Sequence, residues 1–288
     1  MIEWEERGPR GLAHTELGNS IEAMTLDFGN TLVPFPAQSM FGVLAATAAY
    51  AVEAWSLDGA EFERVWNEER GRQLAQDVPN GREADMDVRA GRVLARLRGC
   101  PPPSHEFWDD NEVARWYSPD EVEAVLNAYA SAFVRLTPVP PAVGPVLGLL
   151  AQRYALAILS NWPLATAVER FVDAAGWSSH LASVVISQRV GFIKPRPEMF
   201  LAAARSLGVP SGRRLLHVGD DLGADVAGAH DVGWRAGWVR VRPEDSVLPV
   251  APSAGDEQPD LIVDRVTDLP RALGITTGRW ARSKGSGR

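Results

Sequence analysis

The 288-residue chain holds one cysteine, two lysines and no apolar run long enough to cross a bilayer. Each shortage excludes something. A single cysteine, Cys100, leaves no internal disulfide framework and fits a reducing compartment. The missing bilayer-length run argues against a membrane partner. The opening segment MIEWEERGPR is acidic and lacks an apolar core, so no secretory signal is expected and a cytoplasmic location is. Positive charge is short overall, with 29 Lys and Arg against 37 Asp and Glu and a net charge of −8. That balance argues against a nucleic-acid partner. The two lysines are Lys194 and Lys284, against 27 arginines, so Lys194 in GFIKPRPEMF stands where an arginine would be the default. No repeat or heptad register is apparent, and nothing sets an oligomeric state.

What is present falls into two textures. Residues 1–20 are polar and read as a loose arm. AMTLDF reads as a buried strand followed by a GNT turn. Residues 36–135 read as an all-helical insertion, with apolar residues three and four apart in four segments. Asp58 and Ser118-Pro119 read as helix starts. Residues 136–275 alternate strand and helix: YALAILSN, LASVVISQ, RLLHVGDD, RAGWVRV and DLIVDRV as strands, with helices between the earlier ones. The stretch RPEDSVLPVAPSAGDEQP reads as a loop and residues 276–288 as a mobile basic tail. The fold class expected is therefore α/β, a doubly wound parallel sheet with a helical module inserted after its first strand. In such sheets ligands bind beyond the carboxyl ends of the strands, where the insertion would sit as a lid.

Four groups of polar residues fall at those strand ends. Asp27 ends the first strand, Ser160-Asn161 the second, Lys194 follows the third, and Asp220, Asp221 and Asp225 end the fourth. Clustered carboxylates either raise one another's pKa or hold a hard cation such as Mg²⁺. A lysine offers a compact charge that can neutralise a nucleophile and a phosphoryl oxygen together, which a planar guanidinium does less well. A hydroxyl such as Ser160 can bind another phosphoryl oxygen. The set suits phosphoryl transfer, where positioning and charge neutralisation dominate.

DFGNTL, LAILSN, GFIKPRPEMF and HVGDDLGADVAGA, in that order, resemble the four motifs of the haloacid dehalogenase superfamily of hydrolases. The resemblance covers roughly residues 22–34 and 136–270. It implies a Rossmann-like core over 21–35 and 136–275, with residues 36–135 as an all-helical cap. It also implies Asp27 as nucleophile, Ser160 as holder of the phosphoryl group and Lys194 as its orienting charge. Gly29, Asn30, Thr31 and Asn161 would contact a small phosphorylated metabolite. Mg²⁺ would be held by Asp27, the Gly29 carbonyl and Asp220, with Asp225 and Asp221 in or beside its shell.

One position departs from that pattern. Most phosphatases of the superfamily carry a second Asp two residues after the nucleophile, and here Gly29 stands there. Glycine cannot move a proton, and general acid–base help is worth about 10²–10⁴-fold. Glu53, Asp58 and His105 are available to replace it. Three readings stand: a Mg²⁺-dependent phosphatase, a 2-haloacid dehalogenase-like enzyme, and a binding protein using the same cleft. Residues 33–63 contain no arginine to receive a halide, and GDDLGAD keeps three acids, both of which count against dehalogenation. The plainer alternatives are a turn-capping Asp27, helix-start charges at Asp221 and Asp225, and a strand-ending Ser160-Asn161. His217 reads as a packed core histidine, and the arginines near 89–98 as a solvated helix face. Trp55, Trp66, Trp108 and Trp116 read mainly as cap packing.

Overall fold

The computed structural model describes residues 14–103 and 108–275. Six parallel strands form one sheet: β1 (Ala23–Leu26), β2 (Ala155–Ser160), β3 (Ser183–Ile186), β4 (Leu215–Gly219), β5 (Arg235–Val239) and β6 (Leu261–Val263). Their order is β3-β2-β1-β4-β5-β6. β1 and β4 are buried along their whole length and β2 from its second residue, which is why those segments read as continuous apolar runs. Leu26 sits opposite both Ile158 and Val218, so the carboxyl ends of β1, β2 and β4 come level. The strand order reverses direction between β1 and β4, and there the loops diverge to leave a crevice.

Around the sheet run twelve α-helical elements among the described residues. The first is α1 (His14–Ser20), within the segment that the sequence reads as a loose arm. Instead Leu17 is buried, and the Gly18 carbonyl accepts the Tyr154 hydroxyl at 2.9 Å. Between β1 and β2 come α2 (Ala37–Trp55), α3 (Gly59–Asp77), α4 (Met86–Leu97), α5 (Asp110–Val113), α6 (Pro119–Leu136) and α7 (Val143–Ala151). The remainder are α8 (Ala165–Ala174), α9 (Ser187–Val190), α10 (Pro197–Leu207), α11 (Gly228–Asp231) and α12 (Leu269–Ala272). A short π-helix, Leu222–Ala227, leads into α11 where the sequence predicts one continuous helix.

Helix starts follow the capping chemistry that the sequence offers. Asp58 accepts the Glu61 N–H at 2.8 Å, and Ser118 and Glu121 cap one another's backbone around Pro119. The core of the helical insertion, where Trp66 stacks between Phe62 and Tyr129, is continuous with that of the sheet. Phe133 of α6 stacks on Phe35 at 5.8 Å and meets Phe171 of α8 at 6.0 Å, so its apolar residues continue those under the sheet. The expected solvated arginine face of α4 is absent. Arg89 and Arg92 are buried, because α3 and α6 both pack against α4. Arg96 bridges to Glu68 and Glu69, and the Trp108 indole N–H also donates to Glu69 at 2.8 Å.

Candidate active site

Asp27 follows β1 directly, and its carboxylate is fixed from one side. The Lys194 ammonium donates to Oδ1 at 2.7 Å and the Ser160 hydroxyl at 2.9 Å. Oδ2 receives no hydrogen bond among the described residues, and Asp27 lines a cavity of about 950 Å³ between the sheet edge and the insertion. Lys194 is 2 % exposed and spends its other two protons on Asp225 Oδ1 (2.6 Å) and the Leu159 carbonyl (2.9 Å). Against burial, Asp225 and Asp27 hold its pKa above the usual lysine range. It is therefore a permanent charge.

Asn161, expected at the substrate, lines the cavity while its amide clamps the Lys194 backbone. Its Oδ1 accepts the Lys194 N–H at 2.7 Å and its Nδ2 donates to the Lys194 carbonyl at 3.1 Å. Asn30 and Thr31 are likewise turned to other work. Asn30 sits at φ 56°, and its amide accepts the Phe35 N–H at 3.1 Å and donates to Ser246 at 3.0 Å. The Thr31 hydroxyl points at Asp220 Oδ1, 3.4 Å away.

The acids after β4 divide into three roles. Asp225 receives Lys194, His217 (3.0 Å) and the Asp221 N–H (2.9 Å), and against burial Lys194 and His217 hold it below the usual carboxylate range. A Cβ on Gly219 would lie 2.0 Å from Asp225 Oδ2, so only glycine admits this approach. His217 is buried, and burial with Lys194 nearby lowers its pKa. The neutral ring donates Nε2–H to Asp225 and accepts the Thr25 hydroxyl at Nδ1, 2.8 Å away. The core histidine thus also orients an acid. Asp221 stands outside the expected cation shell. Its two oxygens accept the N–H groups of Gly223 and Ala224 (both 2.9 Å) and Ala251 (2.7 Å), capping the π-helix and tying down the loop after β5.

Asp220 is the acid left with spare capacity. Burial pushes its carboxyl up to about 8, with Asp27 and Asp225 adding to the rise. Burial also raises Asp27, opposed by Lys194. Ligand oxygens of Asp27, Asp220 and Asp225 all lie within 4.8 Å of one another. Buried carboxylates that raise one another's proton affinity fit a hard divalent cation, which takes oxygen donors of this kind.

Two features of the site carried no sequence signal. Arg242 pairs with Asp220 Oδ2 at 3.0 Å from the loop after β5, a stretch without periodicity or motif. Its position just past the carboxyl end of a strand was the clue available. Leu248, from the same loop, covers Gly29: a Cβ there would lie 2.6 Å from Leu248 Cδ1. Of the proposed substitutes for the missing acid, Asp58 is spent on its cap, Glu53 is exposed on α2, and His105 lies outside the described residues. The insertion's acid at the cavity is Glu83, whose carboxyl burial raises and which accepts the Ala84 N–H and the Ser187 hydroxyl.

A family model for haloacid dehalogenase-like hydrolases matches residues 21–233. The chain belongs to the haloacid dehalogenase-like hydrolase family. This hydrolase is 31% identical over 212 residues to a glyceraldehyde 3-phosphate phosphatase of Methanopyrus kandleri, covering 72% of its own chain and 88% of that relative. It is 26% identical over 252 residues to a ribulose-1,5-bisphosphate 5-phosphatase of Halopiger xanaduensis, covering 86% and 97%. Among solved structures, its fold resembles a 2-haloacid dehalogenase from Pseudomonas syringae, with a TM-score of 0.61 at 24% identity over 88% of this chain and 98% of that one. A phosphatase from Thermococcus onnurineus gives 0.55 at 20% identity, covering 88% and 98%. At those identities the likeness concerns the fold alone. Among the described residues, no helix of the hydrolase is long and apolar enough to cross a membrane.

Proposed function

We propose that this hydrolase is a Mg²⁺-dependent phosphatase acting on a small phosphate ester through an aspartyl phosphate at Asp27. The observation that carries this is the asymmetry of Asp27, a cavity-lining residue with Oδ1 held by Lys194 and Ser160 and Oδ2 without a hydrogen bond among the described residues. Phosphatase names among its sequence relatives support the same reading. So do the second acid at Asp220 and the absence of arginine over residues 33–63, which both count against halide chemistry.

In this mechanism Asp27 Oδ2 attacks phosphorus, the bond from phosphorus to the ester oxygen breaks, and the leaving alkoxide takes a proton from water. A water molecule then attacks phosphorus and gives its proton to the hydroxide left by the first step. The bond from phosphorus to Asp27 Oδ2 breaks to restore the carboxylate, and inorganic phosphate leaves. Lys194 and the Ser160 hydroxyl hold the nucleophile and face the transferring group from one side. Asn161 fixes the Lys194 backbone, and His217 with Asp225 fixes its ammonium. Asp27, Asp220 and the Gly29 carbonyl would hold the Mg²⁺, which supplies charge neutralisation for the phosphoryl oxygens. Leu248 and Trp162 around Gly29 keep that side apolar, so the position two residues after Asp27 offers no acid to the leaving group. The reading therefore favours esters whose alkoxide leaves readily.

Replacing Asp27 with Asn tests the proposal. Phosphate release from an aryl phosphate should fall by at least about 10³-fold with the fold unchanged by circular dichroism. Wild-type turnover in that variant would remove Asp27 from the chemistry.

A further inference from the structure

The insertion's side of the cavity carries positive charge that the chemistry at Asp27 does not use. Arg89 of α4 is 2 % exposed, yet its hydrogen-bond partners are neutral. Its Nε donates to Gln73 Oε1 at 2.8 Å and one amino group to the Ala84 carbonyl at 3.2 Å, with the guanidinium over the Trp66 ring at 5.6 Å. Gln73 is held in turn by the Asp85 carbonyl at 2.9 Å. No carboxylate forms an ion pair with Arg89 among the described residues, whereas Arg96 on the same helix has two. Arg70 of α3 is half-buried and, among the described residues, donates only to the Val247 carbonyl, at 3.4 Å. Tyr129 of α6 is buried as a residue, and its hydroxyl makes no hydrogen bond among the described residues. Burial raises its pKa to about 12, so it remains a donor.

All three residues line the cavity, with Phe41, Leu44 and Trp66 supplying apolar wall. The acids nearest by sequence, Glu83 and Asp85, act on Arg89 through space, and neither forms an ion pair with it. Glu83 accepts the Ala84 N–H and the Ser187 hydroxyl, and Asp85 Oδ1 accepts the Asp87 N–H and a proton of Gln188. A buried guanidinium with no carboxylate in contact is costly, and the cost falls when an anion arrives to complete its fork.

We infer that Arg89, Arg70 and Tyr129 form an anion subsite, and that the hydrolase takes phosphate esters bearing a second anionic group, carboxylate or phosphate, across an apolar stretch. The inference rests on the phosphatase reading for the first anion and on this cluster alone for the second. Recognition at the far end positions the ester at Asp27 without touching the reacting atoms.

The test uses the full chain and two probe series of graded length: ω-phosphooxy alkanoic acids and α,ω-alkanediol bisphosphates. Each is compared with the alkanediol monophosphate of the same length, whose tail is a neutral hydroxyl. At the length that spans the two sites, kcat/KM for an anionic tail should exceed that for the hydroxyl tail by about tenfold or more, through KM. That ratio should shrink in Arg70→Met and in Tyr129→Phe, and in Arg89→Lys, which keeps charge but loses the fork. Whichever series wins identifies the second group. Equal turnover of charged and neutral tails at every length overturns the subsite. Calorimetric titration of Asp27→Asn with the same probes separates the two claims. Tighter binding of anionic tails without wild-type turnover leaves the subsite standing and removes the phosphatase. Turnover without tail preference does the reverse.

Discussion

Two buried cations, one at the sheet edge and one in the insertion, are held in opposite ways. Lys194 is surrounded by Asp27, Asp225 and a carbonyl, all within 2.9 Å, so its charge is neutralised before any ligand arrives. Arg89 is equally buried but is held by an amide oxygen and a backbone carbonyl. The first arrangement fixes geometry and stays put through a reaction. The second fixes orientation and leaves the charge available. Chemistry and recognition are thus separated by where the counter-charge comes from, the chain itself or the ligand.

The contrast breaks if removing the two cations costs the same. Lys194→Met strands two buried carboxylates and should destabilise by about 3–5 kcal/mol, the range for breaking a buried pair. Arg89→Met strands only neutral acceptors and should cost about 1–3 kcal/mol. Urea denaturation without added divalent cation measures both. Equal losses would mean that Arg89 is neutralised by something other than a ligand.

The Gly29 region sharpens the same comparison, since it is where the core declines to supply a proton donor. Gly29→Asp alone should gain little, because its Cβ would press on Leu248 Cδ1 at 2.6 Å. With Leu248→Ala the space opens, and kcat on a poor leaving group should rise by about tenfold or more. No gain in the double variant would mean that the leaving group already has help from another source.

Legibility from sequence followed the same divide. Asp27, Ser160 and Asp220 were readable because each sits at the carboxyl end of an apolar run, and Lys194 because it follows such a run by a short segment. The sheet order brings those ends together. Inside that set, Asn161, Asn30 and Thr31 were harder. Residue type says that they can hydrogen-bond, and only coordinates say that they bond to Lys194, Phe35 and Asp220. The α4 arginines misled because helical spacing shows a basic face without showing what covers it, here α3 and α6. The same limit hid α1, whose single buried anchor, Leu17, lies in an otherwise polar stretch. Arg242 and Leu248 belong to a loop with no period at all, so their contacts with Asp220 and Gly29 had no trace in the pattern.

A third charged site, remote from the cavity, shows how the self-neutralised arrangement behaves with pH. Asp260, just before β6, receives Arg235 at 2.7 Å on one oxygen, and the Ala236 N–H and His230 at 3.0 Å on the other. Burial pushes its carboxyl up, and these three donors overcome that to bring it down to about 2. The unfolded value is about 3.9, so the folded state holds its proton less tightly. The stabilisation is complete above about pH 4 and is lost as pH falls through about 2. Allowing for solvent screening, it is worth about 1–2 kcal/mol. Urea unfolding at about pH 6 and about pH 3 should therefore show a smaller acid-induced loss in Asp260→Asn than in the wild type. An identical loss in both would mean that the carboxyl titrates in the folded protein as it does in the unfolded chain, and that the three donors fix position without contributing charge stabilisation.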